Sequence, residues 1–249
     1  MKRMKIIFSY DGSSFSGYQR QPGKMRTVQG EIERILEKID VKPILIVASG
    51  RTDAKVHAYA QVAHFDIERT TISADNLYNI FRCQLPADIV VHSVEHVDAD
   101  FHSRFRVVNK EYWYKFRSTK RMDKSPFATR YITYVPDEID VDKLNAICRA
   151  YIGTHDFAAF TTASKDVSAI RTISYFYCMY DESEKCYIFK IKGTGFLQYM
   201  IRILVAFMFE IYRGKELIEK IDELYLTADK EYVHVKMVAT GLYLKEVEY

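Results

Sequence analysis

The chain is poor in cysteine and has no long hydrophobic run. Its most apolar stretch is interrupted by Arg202 and is too short to cross a bilayer. Residues 1–5 lead into a strand-like run and not into the hydrophobic segment of a signal peptide. The cysteines form no Cys-x-x-Cys pair and have no histidine at metal-ligand spacing. We therefore expect no metal and a reducing, cytoplasmic location. The cysteines are Cys83, Cys148, Cys178 and Cys186.

Charge is balanced over the whole chain but concentrated in one segment. The net charge is only +3 over 249 residues. Residues 104–124, however, contain eight cations and two carboxylates. This predicts a basic face that suits phosphate, although a solvated strand and turn is the alternative. The 19 tyrosines and 15 phenylalanines suit stacking on bases, or a β-rich core.

Hydrophobic periodicity predicts alternating strands and helices in the first half of the chain. Apolar spacing predicts a helix over 27–39, and Ser73 is a helix cap for a segment that ends at Gln84. Pro43 precedes a continuous apolar run, 44–48, which predicts a buried strand. The other expected strands of this half are 6–10, 59–67 and 89–94.

The second half of the chain also alternates between predicted strands and helices. Residues 111–117 alternate, with Tyr112 and two further aromatic residues on one face. Asp140 caps a predicted helix. The apolar run over residues 196–212 predicts a second, strongly apolar helix. A hairpin over 170–180 and 186–192, a helix over 215–226 and a strand over 241–247 complete the set.

The order of elements predicts an α+β fold. We expect two halves, 1–105 and 106–249, each with a mixed or antiparallel sheet flanked by helices and with a cleft between them.

Asp53 is the first candidate for chemistry. It lies in a tight loop after a predicted buried strand, where a rigid scaffold can present a functional side chain. Arg51 could hold its carboxylate ionised or meet a phosphate, and Thr52 could supply a hydroxyl. A simple turn-forming aspartate is the alternative.

Arg202 lies within the apolar helix predicted over 196–212. A buried guanidinium needs an anionic partner, and Asp53 is one candidate. The alternative is that Arg202 extends to the surface along its aliphatic stem.

Tyr112 lies on the alternating strand inside the basic segment. An aromatic face flanked by cations suits a nucleotide base, and core packing is the alternative. His57 lies next to the Asp53 loop, and its spacing from His64 is not that of a metal site. We interpret His57 as a structural residue or a polar contact.

The run Ser49-Gly50-Arg51-Thr52-Asp53-Ala54-Lys55-Val56-His57-Ala58 is similar to the signature loop of the tRNA pseudouridine synthase A family. Further marks occur in the same order along nearly the whole chain. They are Tyr10-Asp11-Gly12, Thr27-Val28-Gln29-Gly30, Leu85-Pro86-Ala87-Asp88, Phe101-His102-Ser103-Arg104-Phe105, Tyr112-Trp113-Tyr114, Gly195-Phe196-Leu197 with Arg202, and Gly241-Leu242-Tyr243-Leu244.

The resemblance implies the pseudouridine synthase fold and isomerisation of uridine to pseudouridine at positions 38–40 in the anticodon stem-loop of tRNA, without a cofactor. Asp53 would be the catalytic aspartate, acting covalently or by deprotonating the sugar. Arg51 and Arg202 would assist it, and Tyr112 would stack on the base. The resemblance also implies a homodimer. The expected further substrate contacts are Thr52, Lys55, His57, Arg104 and Lys110.

Several positions depart from the family pattern. Lys55 stands where the family usually has glycine, and Arg82, Ile203 and Ala206 replace two asparagines and a glycine. Lys110 and Glu111 replace a more basic pair. These departures leave the substrate range open. The alternatives are a synthase with another RNA target, a catalytically silent tRNA-binding protein, and a shared fold with unrelated hydrolytic chemistry.

Overall fold

A computed structural model describes residues 1–23, 25–40, 42–69, 71–164, 166, 168–230, 232 and 235–249. The chain divides into two compact units, Met1–Val108 with Tyr243–Tyr249, and Asn109–Leu242. The sequence predicts that 106–249 form one half. In the structure the last strand groups with the first unit, because Tyr243 and Leu244 pair with His57 and Ala58.

The first unit is built on an antiparallel core with one parallel addition. The central strand β1 (Lys2–Tyr10) pairs antiparallel with β3 (His57–Ile67) and with β4 (Ile89–Val97). Strand β10 (Leu242–Glu248) joins β3 in parallel. Alternate residues of β1 are buried, as expected for a strand with one face on the core.

The helices of the first unit begin where the sequence predicts. Thr27 accepts a hydrogen bond from the backbone N–H of Gly30, so α1 covers Val28–Leu36. Ser73 caps α2 in the same way through the N–H of Asn76, and α2 covers Ala74–Gln84. These bonds satisfy backbone donors that have no partner within the helix.

The continuous buried strand predicted over 44–48 is wrong. Only β2 (Val47–Ala48) pairs, antiparallel to β3. Ile44 and Ile46 are buried, but Leu45 is 63% exposed. This apolar run therefore alternates between core and solvent instead of being covered on both faces.

The second unit has a sheet ordered β5-β9-β8-β7, formed by β5 (Asn109–Ser118), β9 (Cys186–Gly193), β8 (Ile170–Asp181) and β7 (Gly153–Asp156). All these neighbours are antiparallel, which includes the predicted hairpin of β8 and β9. The short strand β6 (Thr133–Val135) lies parallel to β5. The α+β class is confirmed.

Three helices accompany this sheet: α3 (Val141–Arg149), α4 (Met200–Tyr212) and α5 (Lys220–Thr227). Asp140 caps α3 as predicted. The expected start of α4 at 196 is wrong, because Tyr199 has φ 60 and precedes the helix in the left-handed region. The expected start of α5 at 215 also lies five residues too early. Among the described residues, no helix has the length and apolarity needed to span a membrane.

Candidate active site

Asp53 lies in the loop over residues 49–56, which joins β2 to β3 in the first unit. Asp53 is half-buried, while Arg51 and Lys55 are exposed and Thr52 is buried. The backbone of the loop is held at its start, where Ser49 N–H donates to Val62 O over 2.7 Å. It turns at Asp53, whose carbonyl accepts from the N–H of Val56 at 3.2 Å. The loop thus presents the charged side chains of Arg51, Asp53 and Lys55 on a backbone that is held at its start.

A buried hydroxyl pair lies directly under the loop. The Oη of Tyr10 and the Oγ1 of Thr52 are 2.7 Å apart, and both residues are buried. Burial raises the pKa of Tyr10 to about 12, so its phenol stays protonated at neutral pH. Tyr10 ends β1, and this contact ties the loop to the central strand.

Gln61 makes a second attachment at the start of the loop. Its Oε1 accepts from the hydroxyl of Ser49 at 2.7 Å, and its Nε2 donates to Gly50 O at 3.0 Å. Gln61 is completely buried. These side-chain bonds replace ladder bonds that the loop cannot make.

The backbone of residues 17 and 18 closes on the loop from another side. Tyr18 N–H donates to Thr52 O at 3.0 Å. Gly17 has φ +104, and a Cβ at this position would lie 3.2 Å from Thr52 O and 3.4 Å from Ala54 N. The dihedral angle favours glycine at this position, and an added Cβ would lie tightly against Thr52 O.

His57 is buried at the end of the loop and is a structural residue in the first unit. Its Nδ1 accepts from the N–H of Gly12 at 3.1 Å and lies 3.2 Å from Asp11 Oδ1. Its ring stacks on Tyr243 with centroids 4.6 Å apart. A Cβ at Gly12 would lie 2.0 Å from Val56 O, so the turn 11–12 also packs against the loop. The role of His57 as a substrate contact stays a prediction.

Lys55 adopts the left-handed conformation with φ 68. A non-glycine residue there costs about 1 kcal/mol. This explains in physical terms why glycine suits the position. Lys55 also adds an exposed cation to the loop.

Tyr112 lies on β5 in the second unit, opposite Ile191 of β9. It is only 8% exposed, and its ring packs edge to face on Phe196 with centroids 5.3 Å apart. Tyr112 therefore packs in the core of the second unit, as one of the two interpretations of the sequence predicts. Stacking on a base stays a prediction.

Arg202 lies in the first turn of α4 and is half-buried, not fully buried as the apolar helix predicts. Ten of the thirteen residues of α4 are buried. The side chain of Arg202 is instead directed to residues 236–238, where its Nε donates to Met237 O at 2.7 Å. Its guanidinium carbon lies 5.3 Å from the ring centroid of Tyr199. Pairing with Asp53 stays a prediction.

The two remaining predicted contacts belong to different units. Arg104 is exposed in the first unit, where its N–H donates to His102 Nδ1 at 3.1 Å and its guanidinium lies 5.7 Å from the ring of Phe105. Lys110 is half-buried on β5 of the second unit, opposite Gly193. Both stay predicted substrate contacts.

Sequence analysis missed two buried polar residues beside these elements. Tyr10 reads as the end of a strand, and its contact with Thr52 spans 42 residues. Lys115 reads as an outward cation but is 3% exposed, with its Nζ 2.6 Å and 2.5 Å from the carboxylate oxygens of Glu184. No local pattern indicates either contact. Within the described part of the chain, no group of three or more His, Cys, Asp or Glu could hold a metal ion.

Comparison with known proteins identifies the family of the chain. A family model described as tRNA pseudouridine synthase matches residues 6–106 and 147–249. A protein named tRNA pseudouridine synthase A from Geobacillus sp. (strain WCH70) is 42% identical over 252 residues, which is 100% of this chain and 98% of the relative. A protein of the same name from Listeria welshimeri is 40% identical, with 100% of both chains covered. Another, from Latilactobacillus sakei subsp. sakei, is 38% identical over 254 residues, with 100% and 99% covered.

Proposed function

The chain belongs to the tRNA pseudouridine synthase A family, and we propose that it converts uridine to pseudouridine at positions 38–40 of the tRNA anticodon stem-loop with Asp53 as nucleophile. It is an isomerase, and tRNA is its substrate class. The observation that carries the proposal for Asp53 is its place in a loop held by Tyr10, Gln61 and the backbone of Tyr18. Such attachment fixes the backbone that carries Asp53 before the substrate arrives.

The reaction only rearranges atoms within one nucleotide. The bond between N1 of uracil and C1′ of the ribose breaks, the base turns, and C5 bonds to C1′. The proton on C5 leaves and N1 gains one, so no electrons are supplied or removed. In one route the Asp53 carboxylate bonds to C1′ and is later released. In the other it takes a proton from C2′ of the ribose as the N1–C1′ bond breaks, and returns that proton to C2′ when C5 bonds to C1′.

Access to a base within a stem requires that it leave the stack. This costs a few kcal/mol, which contacts to the RNA backbone must offset. We propose that exposed Arg51 and Lys55 bind phosphates near the target nucleotide, and that Arg104 and Lys110 contribute further contacts. Each is exposed or half-buried, so its charge reaches solvent.

Two residues of the second unit complete the proposal. Tyr112 stacks on the displaced base, and we expect Phe196, which packs on its ring, to move when the base enters. Arg202 supports Asp53 by its positive charge, while Thr52 and His57 act through the loop that they hold in place.

The test uses unmodified tRNA transcripts that keep a single uridine at position 38, 39 or 40. We expect the wild-type protein to convert at least one of the three, detected by nucleoside analysis or site mapping. A transcript without uridine at these positions is the control. Conversion of the control alone would show that the target uridine lies outside positions 38–40. Binding of tRNA without any conversion would indicate a catalytically silent tRNA-binding protein.

We further propose that the protein is a homodimer in the cytoplasm. Cys83 is exposed as a free thiol, and the other three cysteines are buried free thiols, which is typical of proteins in reducing compartments. Light scattering of the purified protein tests the dimer, and a monomer at all concentrations used for activity would contradict it.

A further inference from the structure

The segment over residues 119–131, which we name the basic loop, joins β5 to β6 in the second unit. It lies between the two ranges that the family model matches. It contains four cations and a single carboxylate, Asp123. The cations are Lys120, Arg121, Lys124 and Arg130.

The basic loop is folded by its own backbone bonds. Thr129 N–H donates to Ser125 O at 3.1 Å and Ile132 N–H donates to Ala128 O at 2.9 Å. Ser125 N–H donates to the hydroxyl of Tyr134 at 3.1 Å. Ile132, which follows the loop, is buried in the core. The tip is therefore an ordered turn with a fixed direction.

Phe127 is presented at this tip and is 86% exposed. Because this ring is exposed, it contributes no hydrophobic stabilisation to the free protein. Contact with a partner would bury it. Tyr131, on the same turn, is 39% exposed. Exposed aromatic rings next to cations form the kind of surface on which unpaired bases stack.

Three cations of the basic loop differ from the cations of the chain that form surface ion pairs. Examples of such pairs are Arg34 with Glu31, Lys42 with Glu68 and Lys215 with Glu210. In the described residues, no carboxylate forms an ion pair with the side chain of Lys120, Arg121 or Lys124. Their charge is not neutralised within the protein, which favours an RNA over a protein partner.

We propose that the basic loop is a tRNA-binding surface, in which Phe127 stacks on an unpaired base and Lys120, Arg121 and Lys124 bind phosphates on either side of it. The proposal rests on the proposed function, because that function supplies tRNA as the ligand. It assigns a role in substrate binding to a segment outside the matched family ranges.

The first test removes the three cations together, as Lys120→Ala, Arg121→Ala and Lys124→Ala. Each phosphate contact contributes about 0.7 to 0.9 to the slope of log affinity against log salt. We expect the slope for an unmodified tRNA transcript to fall by about 2 and the affinity at physiological salt to fall on the order of tenfold. The value of kcat/KM falls by the same factor.

The matched control is Arg34→Ala, Lys42→Ala and Lys215→Ala. It changes the net charge equally but removes cations that already face carboxylates. We expect its salt slope and turnover to be those of the wild type. Equal slopes in the two triple variants would overturn the proposal, since long-range charge alone would then explain the effect.

The second test addresses Phe127. We expect Phe127→Ala to weaken tRNA binding by about 5- to 160-fold, the range for loss of one stacked base, and Phe127→Trp to keep it. Leu226→Ala, at another exposed apolar residue (88%), is the control with no effect. Binding of a fully paired RNA duplex should not respond to Phe127→Ala. A change in oligomeric state without a change in tRNA affinity would overturn the proposal in favour of a protein contact.

Failure of this proposal and failure of the proposed function give different results. If the wild-type protein forms no pseudouridine but its tRNA affinity depends on the basic loop, the proposed activity is wrong and the surface stands. If the wild-type protein is active and the triple variant matches its control, the surface is wrong and the activity stands.

Discussion

The phenol of Tyr10 and the hydroxyl of Thr52 are 2.7 Å apart inside the first unit, one residue before Asp53. This contact links the last residue of β1 to the loop that carries the proposed nucleophile. Both hydroxyls are buried, so loss of either leaves the other without that partner in a site that water does not readily enter.

Removal of the Tyr10 hydroxyl tests this link. We expect Tyr10→Phe to lower the free energy of unfolding by about 1 to 2 kcal/mol, the cost of a buried hydroxyl that loses its partner. It should lower kcat with little change in KM, because the substrate contacts remain. The double variant with Thr52→Val should lose less than the sum of the single variants. Additive losses would show that the hydroxyls do not act as a pair.

Gly17 tests the steric fit of the backbone against the loop. We expect Gly17→Ala to cost about 2 kcal/mol of stability and to lower activity, because φ +104 is unfavourable for alanine and the new Cβ presses on Thr52 O. Gly23→Ala is the matched control. Gly23 has φ +86 with no described atom within 4 Å of an added Cβ, so only about 1 kcal/mol should be lost. Thermal melting and turnover check both, and equal effects would argue against the close contact.

The buried Lys115 depends on Glu184. We expect Glu184→Gln to destabilise the protein by about 1 to 3 kcal/mol, because it removes the charge that faces a buried ammonium. Lys115→Met should be neutral or stabilising, since a side chain of similar volume replaces the desolvated charge. Urea unfolding of the two variants checks the contrast. A Lys115→Met variant that is less stable than Glu184→Gln would contradict it.

His64 makes stability depend on pH. Burial, with the nearby charges of His102 and Arg3, lowers the pKa of His64 to about 4, below the ordinary 6.5. The unfolded chain therefore binds a proton between pH 6.5 and 4 that the folded protein does not, so stability falls as pH falls through this window. The loss is on the order of 2 kcal/mol. Urea unfolding of wild type and His64→Gln at pH 7 and pH 4.5 should show a smaller loss in the variant.

Paired carboxylates give a separate effect at lower pH. The salt bridge with Arg3 lowers the pKa of Asp66 below 3.8. The stabilisation by Asp66 is therefore lost only as pH falls below that value.

An equal loss of stability in wild type and His64→Gln between pH 7 and 4.5 would show that His64 is not the source of the pH dependence.

The sequence predicts those features of the fold that depend on local chemistry. Ser73 and Asp140 cap helices as expected, since a cap requires only a side-chain oxygen three residues before a free N–H. The alternation of residues 111–117 likewise predicts β5. The start of a helix is not predicted where one backbone dihedral angle determines it. The left-handed φ of Tyr199 places the start of α4 at Met200 and not at residue 196.

The candidate site is predicted less completely, because its supports are distant in sequence. The triplet of Arg51, Thr52 and Asp53 can be found by its place after a strand. The supports of the loop come from residues far along the chain, such as Tyr10. Whether a cation on a strand is buried, as Lys115 is, depends on Glu184, which follows 69 residues later. Periodicity contains no information on such contacts.

The most direct test of the account compares wild type with Asp53→Asn on an unmodified tRNA transcript with uridines at 38, 39 and 40. The substitution keeps the size of the side chain and removes its charge, while the bonds of Tyr10 and Gln61 to the loop remain. We predict that wild type forms pseudouridine and that Asp53→Asn forms none, with tRNA affinity changed by only a few-fold. Pseudouridine formation by Asp53→Asn at the wild-type rate would contradict the assignment of Asp53 as the nucleophile.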